Sequence, residues 1–444
     1  MERFCFRSCG EIEYLLSMAI RNLTEADFVD ILQRYLTPSS PIQRLQTLQG
    51  RQEQVKQITR AFHSPGRHVF IHGDRGVGKS SLALSVGNYL SAEGQRPIQL
   101  ACNGESFFSI MRNLASQLLN AAPVKGGTTT KGSLGLGAYG LSGTVEAQLA
   151  AREVPELSSL NEVVSVIRYC VDRAPEERVA IFDEFDTLPT DADRTLFADF
   201  IKQMGDQSIG IKMFFTGIGQ SLESLLAAHH SCYRYLASVA LSPLNWDGRL
   251  AIMDAACEAL GVELDMTTKY RIGAISDGFP HYIHLICEKL FWVVFDAPES
   301  VAQVSAQHYR EAVESAVQDI EPFLRELYEL ATRKYNDDYQ EILWAVADHH
   351  EFSRRSSDIF SSYVEIMRQR GTATPERTKF NTRMNALKRD SHGKILLGTR
   401  QGWYELREPI LRGYIRLRAE REGVELAQDH PHQTGARSLG LFNK

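Results

Sequence analysis

The octapeptide Gly73-Asp74-Arg75-Gly76-Val77-Gly78-Lys79-Ser80 follows the spacing G-x-x-x-x-G-K-[ST]. Glycines lack a Cβ, so backbone N–H groups can close around phosphate oxygens, and a helix starting at the end of the loop directs its positive terminus at them. In such a loop Lys79 meets the β- and γ-phosphates of ATP and the Ser80 hydroxyl meets Mg²⁺, with Ser81 completing the candidate contact set. A glycine-rich turn with an incidental lysine is the plainer reading. The flanks argue against it, because the apolar run 68–72 precedes the loop and helical periodicity follows over 81–92.

About a hundred residues downstream, Val179-Ala180-Ile181-Phe182 ends in Asp183-Glu184. An acidic pair at the carboxyl end of a buried strand points into the crevice where open α/β sheets bind ligands. Asp183 would share the Mg²⁺ shell with Ser80, and Glu184 would polarise the attacking water. A small-molecule kinase is disfavoured, because this acidic arrangement serves water activation and no substrate domain is evident.

These residues need a frame. Short apolar runs at 68–72, 97–101, 179–182 and 211–215 alternate with helical stretches, including 160–171, the pattern of a parallel sheet covered by helices. Ahead of it, 21–60 reads as two amphipathic helices split by Thr37-Pro38-Ser39-Ser40-Pro41. The Gly- and Thr-rich stretch 123–144 reads as a mobile loop or as an inserted hairpin. Pro243 opens a helical region lasting to about Pro322. Helices then follow to 347, over 356–369 and over 377–388, with two short strands around 398–405, the order of a winged helix-turn-helix. The expected organisation is therefore an N-terminal helical segment (1–40), an α/β nucleotide domain (41–242), a helical lid (243–322), a winged-helix domain (323–425) and a disordered tail (426–444).

Bulk properties bound the rest. A chain of 444 residues exceeds one compact core. No apolar stretch has the length of a membrane helix, and Glu11 and Glu13 interrupt any signal pattern, so the expected compartment is the cytoplasm. The seven cysteines (Cys5, Cys9, Cys102, Cys170, Cys232, Cys257, Cys287) form no C-x-x-C pair and read as free thiols. The histidine pairs His229-His230 and His349-His350, and His430 with His432, lack partners at metal-ligand spacing. Net charge is −6 overall, yet residues 354–421 hold sixteen Lys or Arg against seven Asp or Glu. Such asymmetry often marks a polyanion-binding end.

In the third helix of the C-terminal module, Phe380, Met384 and Leu387 share the core face. Arg377, Lys379, Arg383 and Lys388 are expected to face outward, beside Arg389 and, on the wing, Arg400. The expected partner is double-stranded DNA, gripped through its phosphates. A protein-binding module with a solvated basic face is the competing reading. Trp403 and Tyr404 read as the apolar root of the wing.

Five features, in order and spacing, resemble the AAA+ ATPases, within them the branch of archaeal origin-recognition-type initiators and the related STAND-like ATPases, over roughly residues 40–420. They are Leu48-Gln49-Gly50-Arg51-Gln52-Glu53, the phosphate loop, the Asp183-Glu184 strand, Phe214-Phe215-Thr216-Gly217-Ile218-Gly219, and Gly278-Phe279-Pro280-His281. The resemblance implies an α/β P-loop sheet with helices on both faces, then an all-α lid and a winged helix. It places Gly50 and Arg51 near the adenine and Thr216 at a sensor position against γ-phosphate and water; a strand-end threonine capping a turn is the alternative. It makes Arg234 the candidate arginine inserted into a neighbouring subunit, against a surface arginine paired with an acid. Many members carry a lid arginine where this chain has Gly278-Phe279-Pro280-His281, which leaves His281 as the lid candidate. The implied function is an ATP-hydrolysing switch that self-associates and binds DNA; the rival is a signalling or defence ATPase whose winged helix contacts protein.

Overall fold

The computed structural model describes residues 20–121, 139–173, 178–228, 230–332, 338–373 and 376–426. They form two compact units, one of residues 41–74 and 78–242, the other comprising the described parts of 1–40, 75–77 and 243–444. Cys5, Cys9, most of the 123–144 stretch and nearly all of the 426–444 tail lie outside the described residues.

The first unit is built on five parallel strands: β1 (His68–His72), β2 (Ile98–Ala101), β3 (Arg178–Asp183), β4 (Ile211–Gly217) and β5 (Leu236–Ala240), in the order β2-β3-β4-β1-β5. The four apolar runs read from sequence are all strands. Burial on both faces makes them so legible, since Val69, Phe70, Ile71, Ala180, Phe182, Met213, Phe214 and Phe215 are fully buried. The fifth, Leu-Ala-Ser-Val-Ala, went unread: it is a short edge strand in which Ala237, Ser238 and Ala240 interrupt the apolar run.

Helices α2 (Gln52–Phe62), α3 (Lys79–Leu90), α4 (Phe107–Ala121), α5 (Gly143–Ala150), α6 (Leu160–Val171), α7 (Asp191–Asp206) and α8 (Gly219–Ala228) belong to this unit, and α1 (Glu25–Tyr35) to the other. The step from β1 to β2 runs one way across the sheet and the later steps run back. Right-handed crossovers therefore put α3 on one face and α4, α6, α7 and α8 on the other. The helix contacts agree: α3 packs on α2, while α4 meets α6 and α7 meets α8. Between the second group and the sheet lies an aromatic cluster in which Phe215 stacks on Phe182 at 4.9 Å and Phe197 meets Phe182 and Phe185 edge-on.

The second unit contains α1, α9 (Trp246–Leu260), α10 (Met266–Ser276), α11 (Pro280–Phe295), α12 (Ala306–Gln318) and α13 (Pro322–Thr332). It continues with α14 (Asp338–Ala347), β6 (Ser353–Arg355), α15 (Ser356–Gln369), α16 (Arg377–Ala386), β7 (Leu396–Arg400), β8 (Trp403–Leu406) and α17 (Leu411–Arg421). Helix α1 is capped by Thr24, whose hydroxyl accepts from Asp27 N at 3.2 Å. It docks on α11 through Phe28, stacked on Phe295 at 4.3 Å and edge-on to Trp292 at 4.8 Å. Strands β6, β8 and β7 form an antiparallel sheet in that order. The sequence reading has the three helices and the hairpin but misses β6 and α17.

A buried ion cluster ties this unit together. Asp277 follows α10 with φ 53°. Its carboxylate accepts from Arg412 Nη2 at 2.9 Å and Arg416 Nη1 at 3.1 Å, both from α17. Arg412 also donates to the carbonyls of His350 and Glu351, and Arg416 to those of Ala274, Ala347 and His349. Both guanidiniums are at most 2% exposed, so every donor needs a protein acceptor. Together with Arg354, bonded to Ala345 O at 2.5 Å and Ser362 Oγ at 3.0 Å, three members of the basic excess are internal struts and not a surface field.

Asp277→Ala leaves two buried guanidiniums without their counter-ion and should cost this unit about 3–5 kcal/mol. Asp277→Asn, which keeps an acceptor and tolerates the left-handed backbone, should cost less. All four tryptophans (Trp246, Trp292, Trp344, Trp403) lie in this unit, so denaturant unfolding followed by their fluorescence reads it alone; an unchanged midpoint in Asp277→Ala would rule the cluster out as a fastening. The same readout tests His284, whose Nδ1 accepts from Thr37 N at 3.3 Å. Burial, with His281 beside it, pushes this imidazole down to about 4. The unfolded chain takes up a proton near pH 6.5 that the folded unit refuses until about 4. Stability should therefore fall as pH drops through that window, by about 2 kcal/mol at pH 5. A His284→Gln variant should show a flatter pH profile.

Candidate functional site

Strand β1 ends at His72, the loop 73–78 turns, and α3 begins at Lys79. Two glycines are demanded by the local geometry. A Cβ on Gly73 would sit 2.1 Å from Leu241 O, and Gly78 caps α3 with φ +95°. Val77 is fully buried and anchors the bend, while Asp74 and Arg75 are exposed. The Lys79 ammonium folds back on its own loop, donating to Gly73 O at 3.0 Å and Asp74 O at 2.8 Å.

The parallel register aligns the carboxyl ends of three central strands: His72 pairs with Gly217, Ile71 with Thr216 and Phe182 with Phe215. This brings together residues far apart in sequence. Asp183 Oδ1 accepts from Ser80 Oγ at 3.0 Å, from the Thr216 hydroxyl, and from Glu184 N at 3.0 Å. Glu184 N also approaches Thr216 Oγ1 at 3.3 Å. Thr216 is fully buried, whereas Glu184 is exposed, with its backbone in the left-handed region at φ 55°. A non-glycine residue held there is uncommon and is a recurrent mark of functional sites.

The donor set fits a magnesium-nucleotide pair. One hydroxyl and one carboxylate converge next to a loop whose backbone excludes a side chain, and Mg²⁺ takes few protein oxygens, leaving its other positions to phosphates and water. Among the described residues no group of three His, Cys, Asp or Glu is arranged to hold a metal.

Other expected site residues are placed as follows. Gly50 turns with φ 71°, and the buried Arg51 donates to Ser242 O at 2.9 Å; burial lowers its guanidinium to about 10, so it stays charged at neutral pH. The Ser81 hydroxyl accepts from Ile42 N at 3.1 Å, which fastens the segment leading to Gly50 onto α3. His281, in the second unit, has Nδ1 3.0 Å from Pro38 O. Arg234 lies two residues before β5, whose register with β1 (Leu236 against His68, Ala240 against His72) puts it at the edge of the sheet opposite the phosphate loop. Its guanidinium and the neighbouring Tyr233 ring are exposed.

One polar residue of the strand ends escapes the sequence reading. His72 Nε2 lies 2.8 Å from Ser238 Oγ, and burial, then Lys79, lowers its imidazole, which keeps it neutral beside the loop. The available signal was positional: a polar residue closing a buried strand directly before the loop stands at the ligand-binding edge.

In the C-terminal module, α16 buries Phe380 and Met384, with Leu387 just beyond. The basic residues split. Arg377, Lys379, Arg389 and Arg400 are exposed, Lys379 3.6 Å from Glu376, and Arg383 and Lys388 are half-buried. Arg377 lies over Phe360 at 4.4 Å, Arg383 over Tyr339 at 5.7 Å, Lys388 over Tyr404 at 5.3 Å and Arg400 over Trp403 at 3.8 Å. Arg383 and Lys388 are half-buried, so their heads border the apolar surface, whereas Arg377 stays exposed although its head lies over Phe360.

A family profile for the AAA ATPase domain matches residues 47–211. No curated protein matches the chain. Among solved structures, a Walker-type ATPase of Pyrococcus abyssi is similar at 15% identity, covering 85% of this chain and 99% of that one with a TM-score of 0.48. Cdc6p from Pyrobaculum aerophilum is similar at 15% identity, 88% and 98% coverage and a TM-score of 0.43. The Orc1 protein of Aeropyrum pernix, solved in complex with DNA, is similar at 16% identity, 84% and 93% coverage and a TM-score of 0.43. The phosphate loop, the acidic strand end and the profile match coincide within one parallel sheet, and residues 47–211 match the AAA ATPase domain family.

Proposed function

We propose that the protein is an ATP-hydrolysing switch that self-associates and binds double-stranded DNA through the winged helix formed by α14 to β8. The observation that carries the catalytic part is the shared Asp183 oxygen, which joins the loop serine, the strand-end threonine and the backbone of Glu184 in one hydrogen-bonded set.

Ser80 and Asp183 would hold Mg²⁺, which when bound supplies positive charge beside the β- and γ-phosphates. Lys79 exchanges its loop carbonyls for phosphate oxygens. Glu184, turned outward by its left-handed backbone, orients and polarises the attacking water. Thr216 holds the Asp183 side chain and the Glu184 N–H in register and faces the same water. Arg51 fixes the segment behind the loop, leaving Gly50 near the base.

Arg234 lies six residues before Ala240 at the ligand edge, and the four steps along β5 alone span about 13 Å at 3.3 Å per residue, which is out of reach of its own loop. It would serve the site of a second copy, where an arginine beside the transferring phosphoryl group can be worth about 10³–10⁵ in rate. His281 is the lid residue proposed to follow nucleotide state.

The signalling reading keeps one specific support: Arg354, Arg412 and Arg416 are buried, so the surface of the C-terminal module is less basic than its composition. Protein would then replace DNA as its partner.

Two measurements test this. Phosphate release by Glu184→Gln should fall about 10²–10⁴-fold with ATP binding retained. Wild-type turnover should rise with duplex DNA and lose that rise as salt increases; turnover indifferent to DNA at every salt would favour the signalling ATPase. Separately, Glu184→Gln and Arg234→Ala should each be nearly inactive, and mixing them should restore part of the activity, because the intact Glu184 of one copy meets the intact Arg234 of another. No recovery on mixing would place Arg234 outside catalysis.

A further inference from the structure

Helix α16 presents an unusual outward face. Phe380 and Met384 define its buried side. On the other side Thr378, Asn381, Thr382 and Asn385 are all exposed, at the i, i+3, i+4, i+7 spacing of a single stripe. These are short, uncharged side chains, and both types are poor helix formers. A helix face that is merely solvated normally carries Lys, Glu or Gln, which favour the helix. Four weak formers on one face of a ten-residue helix break the local rule with no packing gain, which points to a use.

The charges stand at the margins of the stripe: Lys379 on the helix itself, Lys388 and Arg389 just past its end. No acid occurs between Arg377 and Ala386. A short neutral centre with a basic rim is the arrangement that suits a major groove, where base edges lie at the floor and phosphates along the walls.

The centre also has a definite chemistry. A side-chain amide matches adenine, accepting from N6 and donating to N7. Asn381 and Asn385 sit one turn apart and offer two such amides. The Thr382 hydroxyl donates to Thr378 O at 3.0 Å, which ties up its proton, and the exposed side chain has a methyl group besides. A methyl in that position makes apolar contact with the C5-methyl of thymine.

We infer that Asn381, Asn385 and Thr382 read A·T base pairs in the major groove and give this protein a preference for A·T-rich duplex. The inference rests on the DNA-binding reading above and adds the base class and the residues that select it.

The test is fluorescence anisotropy of the full chain with labelled duplexes of equal length, one A·T-rich and one G·C-rich, at fixed salt. Wild type should favour the A·T-rich duplex about ten-fold. Asn381→Ala with Asn385→Ala should abolish most of that preference and leave the G·C-rich affinity and the salt dependence unchanged. Replacing thymine by uracil, which removes only the methyl group, should weaken wild type and leave Thr382→Ser unaffected. All three residues are exposed, so the variants should unfold with the wild-type midpoint. Binding to both duplexes with equal affinity overturns the base assignment and leaves DNA binding standing. Equal losses on both duplexes in the double variant overturn it as well. Binding to neither duplex overturns both the inference and the DNA reading.

Discussion

A single carboxylate oxygen organises the nucleotide unit. Asp183 Oδ1 accepts from the Ser80 hydroxyl, the Thr216 hydroxyl and the Glu184 N–H, so one atom links the phosphate loop, two strand ends and the backbone of Glu184. Three donors on one oxygen fix its direction. They also fix the donors: the hydroxyl of Ser80 is aimed across the crevice, and the backbone of Glu184 is held where its side chain must leave the sheet. Parallel register makes this possible, because strands that all point one way deliver their last residues to the same edge.

The other unit has its own carboxylate centre with the opposite character. Asp277 is buried, and its guanidinium partners are buried with it, so the set cannot exchange partners with a ligand without exposing charge. Its effect is to bind α17 to the end of α10 and to the turn after α14. The helical region and the C-terminal module that composition separates are thereby joined. Charge counted along a chain therefore overstates the charge presented to a partner, since Arg354, Arg412 and Arg416 satisfy carbonyls and carboxylates inside the fold.

A similar correction applies to α16. Arg377 and Arg383 lean over aromatic rings, Lys379 stays beside Glu376, and the outermost stripe of the helix holds Thr and Asn. Long cations can lean sideways because their stems lie down on apolar surface while their heads reach solvent.

The sequence by itself determined the features that local rules govern. Glycine stereochemistry and the lysine-hydroxyl pair mark the loop within eight residues, and strands buried on both faces announce themselves as unbroken apolar runs. Helix spacing likewise names the core residues of α16. Only the tertiary structure decided which donors share Asp183, since Ser80 lies 103 residues from it and Thr216 33. The same holds for Arg416, whose burial depends on Asp277 at a separation of 139 residues, and for β5, whose small side chains become a strand because β1 offers an open edge. In each case the deciding energy belongs to a pairing across the fold, and a pairing between distant residues leaves no periodic trace in either segment alone.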